Sequence, residues 1–180
     1  MEARSPIDIA LVKYWGKAHT GLIIPANDSF SITLSKDTLC STTIVRLLPS
    51  RTGKIELKLN GEVELIINRR ISDMIATIRD MVDSNEGQTV PFQGGEVKVA
   101  DLLKRDVQID SVNNFATASG MASSSSGLSC LAVVLATCFG LDADKGKLST
   151  LARRGSGSAC RSLFGGFVQW ARGFEGTQFP

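Results

Sequence analysis

The sequence predicts an α+β fold, and three observations carry that prediction. Short runs rich in Thr, Ile, Val and Leu fill the first third of the chain. Amphipathic or apolar helical patterns occupy the middle and the end. No regular strand–helix–strand rhythm joins the two. At 180 residues the chain suits one domain, large enough to bury roughly 70% of its unfolded surface.

Taken in order, residues 7–13 alternate enough for a strand. The turn-prone YWGK follows, then a loop through Asn27 that carries His19, the only histidine, as a solvated residue. Residues 30–35 and 40–48 read as strands. Residues 54–59 alternate apolar with polar, and Asn60-Gly61 is the strongest hairpin signal, leading into a strand over 63–67. From residue 68 to 83 the spacing is helical, with Ile71, Met74, Ile75, Ile78, Met81 and Val82 on one face and Arg70 near its start. Residues 84–96 are polar and Gly-rich, a solvated loop. A short helix over 99–104 precedes a strand over 107–112. A helix over 122–139 ends at Gly140, a suitable residue after a helix C-terminus. Asp142 or Asp144 caps the next helix, which ends near Arg154. The small-residue turn GSGSACRSLFGG and a strand over 167–171 complete the pattern.

Composition narrows the function. The chain is 43% hydrophobic and 21% charged, with a net charge of +2, as in a soluble globular protein. Basic residues are dispersed, and pairs such as Arg69-Arg70 and Arg153-Arg154 do not make a nucleic-acid surface. No apolar run reaches the ~18 residues of a membrane span. The first residues lack a secretory or transit pattern, which predicts a cytoplasmic protein. Cys40, Cys130, Cys138 and Cys160 lack metal-ligand spacing and read as reduced core residues. No metal site follows from the sequence.

Three segments carry chemistry. Residues 111–127, SVNNFATASGMASSSSG, run from a small-residue loop into an apolar helix. That arrangement aims backbone N–H groups and a helix dipole at an anion, and Ser123, Ser124, Ser125 and Ser126 add hydroxyls for phosphate oxygens or a phosphate-bound Mg²⁺. Gly120 and Gly127 are too far apart for a Walker A loop. A serine-rich linker is the plain alternative. Lys13-Tyr14-Trp15-Gly16-Lys17 brackets two aromatics and a glycine with cations, which suits a phosphorylated ligand. A strand end with solvated lysines and a core Trp accounts for the same residues. Gly155-Ser156-Gly157-Ser158-Ala159-Cys160-Arg161 is a hydroxyl-rich turn ending in a guanidinium that matches a carboxylate or phosphate. A flexible turn with a surface arginine is its plain reading, and the dinucleotide fingerprint it imitates lacks the third glycine and the preceding strand.

Together these segments resemble the N-terminal half of the diphosphomevalonate decarboxylase family, within the GHMP small-molecule kinase superfamily. The resemblance rests on IALVKYWGK (9–17), IPANDSFSITLS (24–35), LNGE (59–62), the serine loop (111–127) and RRGSGSACRSLFGGFVQW (153–170). It implies a GHMP-type N-terminal domain over 1–180 with a ribosomal-protein-S5-like α+β sandwich, and ATP-dependent decarboxylation of 5-diphosphomevalonate to isopentenyl diphosphate. By motif, Tyr14, Trp15, Gly16 and Lys17 would hold the substrate diphosphate, with Lys13 beside them. Ser156 to Arg161 would bind the substrate, and Arg161 would orient the departing carboxylate. Arg70 would also meet the substrate. Ala118, Ser119, Gly120, Met121, Ala122 and Ser123 to Gly127 would cradle the ATP phosphates, with Ser123 and Ser124 as the leading hydroxyl contacts. ATP as co-substrate, Mg²⁺ and a homodimer of the full-length protein follow from the same resemblance.

The chain departs from the family pattern in several places. Asp8 stands where the family usually has an Asn that helps orient the arginine, and an Asp can instead pair with Arg161 and compete with substrate. Ala116 replaces a Pro, and Asp28 a Ser. The family's second half, which supplies a wall of the cleft and the aspartate proposed to act on the tertiary hydroxyl, has no counterpart in these residues. A related kinase that transfers phosphate and stops, and a binding module without turnover, are the alternatives.

Overall fold

A computed structural model describes residues 1–83, 89–116, 121–141 and 144–173. In chain order its elements are β1 (Glu2–Pro6), β2 (Asp8–Val12), β3 (Lys17–His19), β4 (Ile24–Pro25), β5 (Ser29–Thr33), β6 (Cys40–Leu48), β7 (Ile55–Leu59) and β8 (Glu62–Glu64). Then come α1 (Arg69–Asp83), β9 (Thr89–Phe92), β10 (Gly95–Lys98), α2 (Val99–Leu103), β11 (Asp106–Asn113), α3 (Ser123–Cys138), α4 (Lys145–Gly155), a 3-10 turn (Gly157–Cys160) and β12 (Gly166–Trp170). The α+β expectation holds.

A five-stranded sheet, ordered β1-β6-β11-β7-β8, carries the main core. Only β11 and β7 pair in parallel there, because the chain between them crosses over through α1. Helix α3 packs on β6 and β1, and α4 and α1 pack beside it. Ile71, Met74, Ile75, Ile78 and Val82 of α1 are buried along the predicted face, with Met81 half-buried at its rim. Helix α3 is buried nearly all round, contributing Cys130, Leu131, Ala132, Val134, Leu135, Ala136 and Cys138. That is why its pattern has little amphipathic contrast. All four cysteines are buried and free, as expected, and burial pushes the Cys160 thiol up to about 12.

A second sheet, β12-β5-β2, stands beside the first. Its middle strand is inverted relative to its sequence pattern. Ser29, Ser31 and Thr33 face inward and are buried, while Phe30 and Ile32 look outward and are half-buried. Phe30 stacks on the exposed Phe167 at 5.8 Å.

The differences from the expected elements have local causes. The expected strand over 7–13 is β2, and an unexpected strand, β1, precedes it across a corner at Ile7. Its N–H donates to Leu39 O at 3.2 Å and its carbonyl accepts from Leu34 N at 3.0 Å, passing the chain from one sheet to the other. Residues 2–6 carry no apolar pattern because β1 is an edge strand held through backbone pairing with β6. The loop after YWGK contains the β3–β4 pair, so the exposed His19 lies on a strand end. The expected strand over 63–67 stops at Glu64. The solvated loop over 84–96 is overturned by the β9–β10 hairpin, whose Gln93-Gly94 turn has φ of 50° and 83° at its centre. Gln-Gly is a weak signal for a turn that needs two positive φ values. Val90 and Phe92 pack on the core; residues 84–88 lie outside the described residues. The Asn60-Gly61 hairpin has the expected geometry, and Asp144 caps α4 by accepting from Lys147 N at 2.8 Å; Asp142 lies outside the described residues.

Asp106 fastens the turn that joins β6 to β7. The Ser50 hydroxyl, the Thr52 hydroxyl and the Lys54 and Thr52 amides donate to its carboxylate, holding its pKa at about 2 against an ordinary 3.8. A carboxyl depressed by folding contributes stability that is complete above its unfolded pKa and lost as pH falls through the folded one. Urea midpoints of the native chain should therefore fall more steeply from pH 4 to pH 2 than those of Asp106→Asn. Parallel curves would remove Asp106 from the acid response.

Candidate active site

Helix α3 begins without a side-chain cap. Ala122 stands before it at φ 53°, in the left-handed region, which costs a non-glycine residue about 1–3 kcal/mol and is common at functional sites. Its carbonyl accepts from Ser125 N at 2.9 Å and Ser126 N at 3.2 Å. The amides of Ser123 and Ser124 therefore lie ahead of the first intrahelical bond, at the positive end of a 16-residue helix.

Two cavities meet at this helix head. The first, about 490 Å³, has an apolar floor that includes Leu57, Ile71, Ile109 and Leu131, with Arg70, Ser123, Ser124 and Gly127 at its polar side. The second, about 580 Å³, takes in Met121 and Ala122, with Ile9 and Ala10 of β2, and carries its polar groups on Asp8, Lys13, Tyr14, Ser158 and Arg161. A ligand in each would bring their ends together at one helix N-terminus, an anion-binding position.

The serine run divides between structure and site. Ser123 and Ser124 line the first cavity. Ser125 and Ser126 are fully buried and committed elsewhere. Ser125 Oγ donates to Ser158 Oγ at 2.6 Å. Ser126 Oγ donates to the Ser5 carbonyl and accepts from Ser41 N at 3.0 Å. Their expected contact with phosphate is thus replaced by fastening α3 to β1, β6 and the 3-10 turn. Ala118, Ser119 and Gly120 lie outside the described residues.

KYWGK and GSGSACR come together in the second cavity. Tyr14 meets Trp170 edge to face at 4.9 Å, and its hydroxyl lies against Gly157, where a Cβ would come within 2.7 Å of the phenolic oxygen. Asn27 pins the loop: its Oδ1 accepts from Trp15 N at 2.7 Å and its Nδ2 donates to the Lys13 carbonyl at 3.1 Å. Gly16 supplies a φ of 71° at the turn. Lys13 and Lys17 are exposed, and Trp15 is 72% exposed, so it is no core residue. Ala159 and Cys160 are buried in the turn with their side chains turned inward, leaving Ser156 and Ser158 as its half-buried hydroxyls. Arg70 lines the first cavity with the serines and is absent from the second.

Arg161, 3% exposed, has a partner for each of its three guanidinium nitrogens. Its Nε and Nη2 each donate to Asp8 Oδ2 at 2.9 Å, and Nη1 donates to Ser29 Oγ at 2.6 Å. The Trp170 ring lies 5.9 Å away, and Asp8 Oδ1 accepts from Ser162 Oγ at 3.2 Å. The pairing expected of an Asp at position 8 is present. Ser29 and Trp170 lie within the quoted motifs, but the sequence gives them no role; that follows only from the sheet that places them around the guanidinium.

The α+β fold, shared with solved mevalonate diphosphate decarboxylases, places the chain in the class of GHMP-kinase-type domains. Within that class the chain belongs to the diphosphomevalonate decarboxylase-like N-terminal domain family, which matches residues 5–179. A diphosphomevalonate decarboxylase of Rattus norvegicus is 41% identical over 173 residues, 94% of this chain and 40% of that protein. A mevalonate diphosphate decarboxylase structure from Trypanosoma brucei is 40% identical with a TM-score of 0.75, covering 97% of this chain and 42% of that one. Another solved neighbour, in complex with MVAPP, AMPPCP and magnesium, is 34% identical with a TM-score of 0.75, covering 97% and 47%. The chain thus spans less than half the length of these relatives.

Proposed function

We propose that this chain provides the nucleotide- and substrate-binding portion of an ATP-dependent decarboxylase acting on 5-diphosphomevalonate. The observation that carries the reading is the meeting of two cavities at the head of α3, one apolar-floored and serine-lined, the other cationic. The complex of a solved neighbour with MVAPP, AMPPCP and magnesium supports it.

In this reading the adenine lies on the apolar floor, and the triphosphate reaches the amides and hydroxyls of Ser123 and Ser124. Mg²⁺ comes with ATP as co-substrate, and serine hydroxyls and water match its preference for oxygen. Lys13, Tyr14 and Lys17 hold the substrate diphosphate, aiming the tertiary hydroxyl at the γ-phosphorus. Transfer of the phosphoryl group turns that hydroxyl into a leaving group. Phosphate departs with the C–O electron pair, and the neighbouring C–C bond breaks, releasing CO₂ and forming the alkene of isopentenyl diphosphate. The helix head counters charge on the transferring phosphoryl, and Arg161 lies beside the carboxylate that leaves.

Two measurements check this. Joined to the family's second half, the chain should release CO₂ from carboxyl-labelled 5-diphosphomevalonate only with ATP and Mg²⁺ present. The Ser123→Ala/Ser124→Ala double variant should bind nucleotide at least about tenfold more weakly, since hydrogen bonds to charged groups are among the stronger ones. Undiminished nucleotide affinity in that variant would move the phosphates away from α3.

A further inference from the structure

We infer that Asp8 is a specificity-determining residue of the second cavity, setting how strongly the site favours a carboxylate on its ligand; the inference rests on the substrate reading above. Among the described residues Arg161 is the only guanidinium lining this cavity, and Asp8 lies within the same wall. Both side chains are buried, 3% and 1% exposed. Two of the three guanidinium nitrogens donate to one Asp8 oxygen, and the third is held by Ser29. A ligand carboxylate approaching Arg161 therefore meets a second carboxylate already paired with it. In a buried setting the two anions repel and the arginine's charge is shared. Among the described residues the fixed charges on the wall are Asp8, Lys13 and Arg161, so Asp8 cancels one of two cations. An Asn at this position keeps an acceptor for Nε and frees the arginine's charge for the ligand. Asp8 acts on the ligand through Arg161 and is a positioning residue in that sense.

The test compares two ligands that differ in one group: 5-diphosphomevalonate and 3-hydroxy-3-methylbutyl diphosphate, which lacks the carboxylate. Affinities are read by calorimetry and by Trp170 fluorescence, on the native chain, Asp8→Asn, and Asp8→Asn/Arg161→Gln. The native chain should bind the two within about twofold of each other. Asp8→Asn should favour the carboxylated ligand by about tenfold or more, the range set by desolvated charge pairs, with the other ligand unchanged. The double variant should lose that gain, and its loss separates a charge effect from a general loosening of the fold. An unchanged ratio in a folded Asp8→Asn chain, or a gain shared by both ligands, overturns the role of Asp8 alone. Failure of both diphosphates to bind any of the three proteins overturns the substrate reading and the inference with it.

Discussion

Arg161→Ala should destabilise the chain by about 3–5 kcal/mol, because removing one partner of a buried ion pair leaves the other uncompensated. Asp8 would keep only the Ser162 hydroxyl at 3.2 Å, and the Ser29 and Trp170 contacts would be lost with the guanidinium. Urea unfolding at neutral pH measures it. Asp8→Asn/Arg161→Met should recover much of the loss, since a neutral pair of similar volume avoids the stranded carboxylate. A loss within about 1 kcal/mol, the size of an exposed pair, would show that water reaches Asp8. In the protein joined to the family's second half, Arg161→Ala should abolish CO₂ release from 5-diphosphomevalonate, so stability must be measured beside activity before a chemical role is assigned.

Gly157→Ala should weaken substrate binding and turnover together by about a hundredfold, because displacement of a positioned group by about 1 Å has effects of that size. The added methyl would lie 2.7 Å from the Tyr14 oxygen, 3.1 Å from its ring and 3.2 Å from the Trp170 ring. Tyr14 is the more exposed neighbour, so it yields, and it carries the KYWGK loop with it. Stability should fall by only about 1–3 kcal/mol, as for overpacking in general. Gly165→Ala serves as the comparison, since a Cβ there meets nothing within 4 Å. Equal kinetics in the two variants would show that Tyr14 does not set the geometry of the site.

Much of this was legible in the sequence, and the gaps have physical causes. The helices α1 and α4 and the Asn60-Gly61 hairpin follow from period, caps and turn residues acting locally, and α3 from a long apolar run that ends at Gly140. The site motifs were legible as residue types, and the partner of Arg161 was anticipated from Asp8. The division of the serine run was not. On a helix each residue turns by about 100°, so two of four consecutive hydroxyls turn into the protein, and only the packing of α3 on β6 and β1 decides which. The β9–β10 hairpin was missed because its apolar residues, Val90 and Phe92, sit among Pro, Gln and Gly that read as loop. Strand β5 was found but its facing was not. Alternation shows two faces and cannot say which is inside when a buried guanidinium needs hydroxyl partners more than it needs phenyl rings.

That inverted strand also bears on how the chain reaches its native state. A strand usually finds its register by burying its apolar face, and a slip of one residue is penalised by exposing it. In β5 the same slip would turn Phe30 and Ile32 inward, so hydrophobic collapse favours the wrong register. The correct one is selected only once Arg161 and Asp8 are in place to claim Ser29. The β2–β5–β12 sheet should therefore assemble late, behind the α3-centred core, and substitutions in β5 should speed unfolding while leaving the folding rate nearly untouched.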